Sequence, residues 1–155
     1  MNLRHWQHFL SLEKDFFDTL TFVELHDDNE KVFSVAYTKL LLAICSEIDV
    51  VAKILCKNIN SDSSAKNIDQ YRTEITAKYP NFYTVEALIP RYSLTIKPWN
   101  SWSGSSNPDW WTEHNKVKHE RDVNFKMANQ KNTREAMCAL FCLLLYVYQP
   151  ELYSG

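Results

Sequence analysis

From Trp110 to Arg121 the chain reads Trp-Trp-Thr-Glu-His-Asn-Lys-Val-Lys-His-Glu-Arg. Two imidazoles, one amide and two lysines fall between His114 and His119. On a helix, Asn115 and His119 lie one turn apart and share a face, while His114 and Lys118 share the neighbouring one. Lys116, Lys118, Arg121, Lys126, Lys131 and Arg134 supply positive charge nearby, although the whole chain carries a formal charge of -2. A local basic strip of this kind holds phosphates, and an imidazole beside it exchanges protons near neutral pH. A histidine-dependent reaction inflects near about pH 6.5, shifted by its surroundings. The plainer reading is a solvated helix face, whose exposed ion pairs contribute only about 0–1 kcal/mol each. The two tryptophans directly before the strip favour function, because a site needs a rigid base.

Other chemistries find less support. His114 and His119 are five apart and diverge by about 140° around a helix, so they make a poor metal pair with Glu113 or Glu120. No metal and no cofactor is expected. His5 and His8 read as surface or groove-lining residues. The cysteines, Cys45, Cys56, Cys138 and Cys142, form no Cys-X-X-Cys pair and read as reduced core thiols. With Gly104 as the sole glycine before Gly155, no Gly-rich phosphate loop can be written. A Gly-X-Ser-X-Gly elbow is also missing.

These side chains need elements to position them. Trp6, Phe9, Leu10, Phe16, Phe17, Leu20 and Val23 predict an amphipathic helix over about Leu3 to Leu25. Phe33, Tyr37, Leu40, Ile44, Ile48, Val51 and Leu55 then step by 4, 3, 4, 4, 3 and 4, predicting a helix from about Glu30 to Lys57. At 1.5 Å per residue it is about 40 Å long and sets the length of a bundle. Asp49 and Lys53 pair acid with base one turn apart on it. A third helix, about Asn67 to Tyr79, ends before Pro80.

Next comes a stretch of different character. Alternation from Tyr83 to Ile89 and from Leu94 to Lys97, with a turn at Pro90 to Ser93, predicts a two-stranded excursion that must pack on the helices. Lys97 to Trp102 reads as an ordered aromatic loop. Asn107 as cap, Pro108 as first helical residue and Asp109 in the first turn start a fourth helix, which runs to Arg121 and on towards Ala128. Asn132 with Glu135 resembles a capping box for a fifth helix, Thr133 to about Tyr148, stopped by Pro150.

The 155 residues, 45% hydrophobic and 14% aromatic, suit one packed domain over residues 1–155 rather than a disordered chain. The longest apolar run, Ala136 to Tyr148, has 13 residues, against about 20 for a membrane span. The first residues lack a continuous apolar stretch of the kind a secretory leader uses. A cytoplasmic protein without a membrane partner is expected.

The segment His114-Asn115-Lys116-Val117-Lys118-His119 resembles the motif of the HEPN superfamily. Active members carry Arg, often followed by Asn, then His after four to six residues. Asn115 and His119 stand in register with the shortest form of that motif, and His114 occupies the Arg position. Two tryptophans, an Asn-X-X-Lys-His core and a following apolar helix also resemble a set of uncharacterised bacterial proteins, in detail from Trp110 to about Tyr148. The resemblance implies an all-α antiparallel up-and-down bundle, commonly dimeric. It further implies metal-independent RNA cleavage with the ribose 2′-hydroxyl as nucleophile, in defence or toxin–antitoxin systems. His119 would transfer the proton, Asn115 and His114 would orient or hold phosphate, and Lys116, Lys118 and Arg121 would bind the nucleic acid. The expected partners are RNA, a second copy facing through helix four, and an antitoxin or other protein.

The expectation is therefore about five helices with a small β-like excursion between the third and fourth, carrying an endoribonuclease or RNA-binding site. The alternative is a non-catalytic helical interaction or scaffold protein, favoured by the missing Arg. A third reading, a metal-dependent hydrolase, predicts loss of activity on chelation.

Overall fold

The structure, a computed structural model, describes residues 2–152. It is predominantly α-helical. In chain order it has α1 (Arg4–Thr19), α2 (Val35–Ile59), α3 (Ile68–Lys78), β1 (Ala87–Ile89), β2 (Leu94–Ile96), α4 (Asp109–His119), α5 (Arg121–Asn124) and α6 (Gln130–Leu152). The described residues thus form six helices rather than about five.

The longest helices, α2 and α6, pack against each other most extensively, and α1, α3 and α4 pack around them. The α2 stripe explains this. Tyr37, Leu40, Ile44, Ile48, Val51 and Leu55 are all buried, and they meet Ala136, Ala139, Leu140, Leu143 and Leu144 of α6 in one apolar core. Phe33 alone leaves the stripe and stays exposed. The start of α2 is fixed by Ser34, whose Oγ accepts the Tyr37 N–H at 3.1 Å. Asn67 does the same for α3, accepting the Gln70 N–H at 3.0 Å. Such caps satisfy one of the helix's unpaired amides and typically contribute about 1 kcal/mol.

Several boundaries differ from the sequence reading. Helix α1 ends at Thr19 rather than near Leu25, with Leu20 to Val23 in turns closed by backbone bonds to Phe17, Asp18 and Thr19. The hairpin pairs Ala87 with Ile96 and Ile89 with Leu94, but Phe82 to Thr84 form a 3-10 turn instead of extending the strand. Ser93 closes the hairpin turn at a φ of 50°, a left-handed backbone that short polar residues tolerate better than β-branched ones. Pro108, not Asn107, is the N-cap of α4. The Asn107 side chain instead ties the start of α4 to α3, accepting from Arg72 at 2.6 Å and donating to Asp69 at 3.1 Å. The cap of α6 is Asn129, whose Oδ1 accepts the Asn132 N–H at 2.9 Å, so Asn132 already lies inside the helix. Pro150 does not stop α6, which continues to Leu152. A proline so close to the end removes one hydrogen bond from a turn that has few carbonyls left to satisfy.

A clip joins distant parts of the chain. The amides of Gln130 and Lys131 donate to the Val32 and Glu30 carbonyls at 2.9 and 3.1 Å. Phe33 pairs with Asn129 in an isolated antiparallel bridge. The fully buried Gln130 side chain donates to the Glu24 carbonyl at 3.0 Å.

The aromatic loop is core. Trp99 is 0% exposed, and Trp102 is also buried. Trp99 lies 4.3 Å from Trp102, 5.7 Å from Phe82 and 5.1 Å from Trp110, centroid to centroid. Its indole N–H donates to the Ala139 carbonyl of α6 at 3.1 Å, and Trp110 donates to the Pro98 carbonyl at 2.9 Å. All four cysteines are buried and unpaired. Burial pushes the thiols of Cys56, Cys138 and Cys142 up to about 12, so they remain protonated at neutral pH.

Candidate functional site

The indoles decide which side of α4 faces inward. Trp110, Trp111, His114 and Val117 are buried, a spacing of three and four that defines one helix face. The other face carries Asn115, half-buried, and Lys116, Lys118 and His119, all exposed. The two histidines of the motif therefore have opposite environments. His119 ends α4 in solvent, and Glu120 (φ -138°, ψ 54°) breaks the helix before Arg121 restarts it as α5. The fourth helix therefore does not continue to Arg121 or Ala128.

His114 is 4% exposed and its ring centroid lies 4.9 Å from that of Trp111. Among the described residues its Nδ1 has no hydrogen-bond partner. Burial lowers this imidazole to about 4; the Trp111 backbone opposes it next, Lys118 and His119 push the same way as burial, and Asp49 opposes it least. At neutral pH it is an uncharged ring in the aromatic row, not a cation for phosphate. Above about pH 6.5 the ring is neutral in both folded and unfolded chains. As pH falls below that value the unfolded chain takes up a proton that the folded one refuses until about pH 4. Between pH 7 and pH 4 this one group should therefore remove about 3 kcal/mol of stability. Urea unfolding across that range, for wild type and His114→Phe, isolates the contribution. Parallel curves for the two proteins would disprove it.

The exposed cations are not used up by neighbours. Lys116 pairs with Glu113 at 3.4 Å. Among the described residues Lys31, Lys118, Arg121, Lys126 and Lys131 make no ion pair. Arg134 does not belong to the strip. It is buried, bridges Glu30 at 3.2 Å and Glu135 at 3.7 Å, and braces the clip. A cleft of about 370 Å³ opens beside it. Asp27, Glu30, Asp109 and Glu135 outnumber Lys97, Lys131 and Arg134 there, and neither Asn115 nor His119 lines it.

Two groupings escaped the sequence reading. The Asp49–Lys53 pair is present at 2.6 Å, but the other Asp49 oxygen accepts the buried Tyr71 hydroxyl, also at 2.6 Å. Burial and then this carboxylate raise the Tyr71 phenol. On α1, His5 and His8 present Nδ1 to the two oxygens of buried Glu47, at 2.5 and 3.2 Å. The 3-residue spacing signalled a shared face, but nothing local pointed to Glu47 on α2 as the group beneath it. No three His, Cys, Asp or Glu side chains are grouped to hold a metal ion among the described residues.

No protein-family model, curated protein or solved structure matches this chain.

Proposed function

We propose that this chain is a HEPN-like RNA-directed protein that cleaves RNA without a metal ion. The observation that carries the reading is the outer face of α4. There an exposed imidazole, His119, follows Asn115 by one turn, beside Lys118, with Arg121 just past the break at the start of α5; neither cation has an ion-pair partner among the described residues. His119 takes the proton of a ribose 2′-hydroxyl, the oxygen attacks the adjacent phosphorus, and the 5′-oxygen leaves with a proton. The products are a 2′,3′-cyclic phosphate and a 5′-hydroxyl end. Lys116, Lys118 and Arg121 hold the phosphates, and Asn115 orients the reacting group. His114, neutral and buried, supports the helix from below. In an antiparallel up-and-down bundle that dimerises through α4, a second His119 lies across the cleft and can protonate the leaving oxygen. An antitoxin covering that face suits a toxin or defence role.

The test is mixed-sequence labelled RNA incubated with the purified protein in EDTA. Cleavage leaving cyclic phosphate ends is the expected result. Binding should weaken steeply with salt, with a slope that falls by about one for each phosphate-contacting cation removed, first Lys118→Ala and then Arg121→Ala. Absence of both binding and cleavage would overturn the proposal.

A second reading, a non-catalytic helical interaction protein, is favoured by one observation. The position that carries Arg in active HEPN members holds a buried, neutral imidazole. It predicts no turnover at any pH.

A further inference from the structure

The apolar stripe of α2 has one outlier, and it lies near the candidate site. Phe33 is 46% exposed and meets Phe125, 43% exposed, edge to face at 5.4 Å and 68°. Val35 and Val123, close to them in sequence, are more exposed still. Folding has therefore left two phenyl rings together in water, although a large apolar core was available.

Cations without an ion-pair partner among the described residues stand near them in the chain. Arg121 opens α5, and Phe125 opens the 3-10 turn that follows it four residues on. Lys126 follows Phe125 directly. The clip brings Lys31 and Phe33 alongside Asn129 and Lys131. All four cations are among those without an ion pair. The carboxylates on these two stretches are Glu24, Asp27, Asp28, Glu30, Glu120 and Asp122; Glu30 is taken by Arg134 and Asp28 faces His26, and none of the six pairs with these four cations. Exposed rings flanked by free cations match the two needs of a single strand, a surface for base faces and charge for the backbone. A duplex keeps its bases stacked on one another and offers no face to the rings.

We infer that Phe33 and Phe125 form a stacking platform for the bases of single-stranded RNA, with Lys31, Arg121 and Lys126 holding its phosphates. This rests on the RNA reading above and names its substrate class. In the chain Phe125 follows His119 and Arg121, and the 3-10 turn that carries it packs against α4.

The experiment is fluorescence anisotropy with a labelled single-stranded oligouridine and, separately, an RNA duplex of equal length. The proteins are wild type, Phe33→Ala/Phe125→Ala and Phe33→Tyr/Phe125→Tyr. The alanine pair should lose about tenfold or more in single-strand affinity with its salt slope unchanged, and the tyrosine pair should restore it. Duplex binding should be weak and indifferent to both. Equal single-strand affinity in wild type and the alanine pair overturns the platform and leaves the RNA reading standing. No RNA binding by wild type overturns both. An alanine pair that changes only the oligomeric state makes the patch a contact between copies and also overturns it.

Discussion

Replacing His119 with alanine should lower RNA cleavage in EDTA by about 10²- to 10⁴-fold, the range that a positioned proton-transfer group supplies. The fold should be untouched. His119 is exposed at the end of α4, and surface substitutions away from packed features change stability by less than about 0.5 kcal/mol. Binding should also survive, because Lys118 and Arg121 remain. On the proposed reading this combination separates proton transfer from charge, which Lys118→Ala and Arg121→Ala would affect through binding. Any rate inflection near neutral pH cannot belong to His114, whose imidazole is held at about 4. Initial rates and melting curves on one preparation settle the matter. A variant that cleaves at the wild-type rate would remove His119 from the mechanism.

Trp99→Ala should destabilise the protein by about 3–5 kcal/mol, the usual cost of truncating a large buried aromatic. Three effects add at this site. Trp99 is 0% exposed, so its whole apolar surface returns to a cavity. It touches Phe82, Trp102 and Trp110, so three ring contacts go with it. Its N–H bond to Ala139 on α6 is also lost. For a chain of this size the melting temperature should fall by about 10–15 °C. Trp99→Phe keeps most of the packing and should lose roughly half as much. Urea unfolding of the three proteins is the check, and an alanine variant within 1 kcal/mol of wild type would refute the assignment. Because Trp110 leans on Trp99, the alanine variant should also loosen α4 and reduce cleavage without touching RNA.

Where a proline marks the stop, as Pro80 does after α3, the sequence reading lies within a residue of the structure. The stripe of α2 was legible because seven positions repeat it. Glu120 was not, since no glycine or proline marks the break between α4 and α5. Asn129 and Asn132 both precede the apolar run, and only the clip to Val32 and Glu30 selects Asn129 as cap. Pro150 misled because a stop rule written for helix interiors does not hold in a last turn. At the site, the basic strip was readable but the fates of its histidines were not weighed. The signal was available, since His114 sits three or four residues from Trp110, Trp111 and Val117. A polar residue on an apolar face is drawn inward by its neighbours, and burial then removes its charge. The Tyr71–Asp49 and His5–Glu47–His8 groupings join separate helices, which no local spacing encodes.

The partnership of α2 with α6 also shapes how the molecule is made. Of the six helices, α6 is synthesised last, about 70 residues after α2 ends. Until it leaves the ribosome, the wide apolar flank of α2 has no mate and the clip has no second half. Cooperative folding must wait for α6, so the nascent chain carries a long sticky surface until that helix emerges. Such a chain is a natural client for chaperones that shelter hydrophobic segments. Truncation before Gln130 should yield an aggregating fragment rather than a smaller domain.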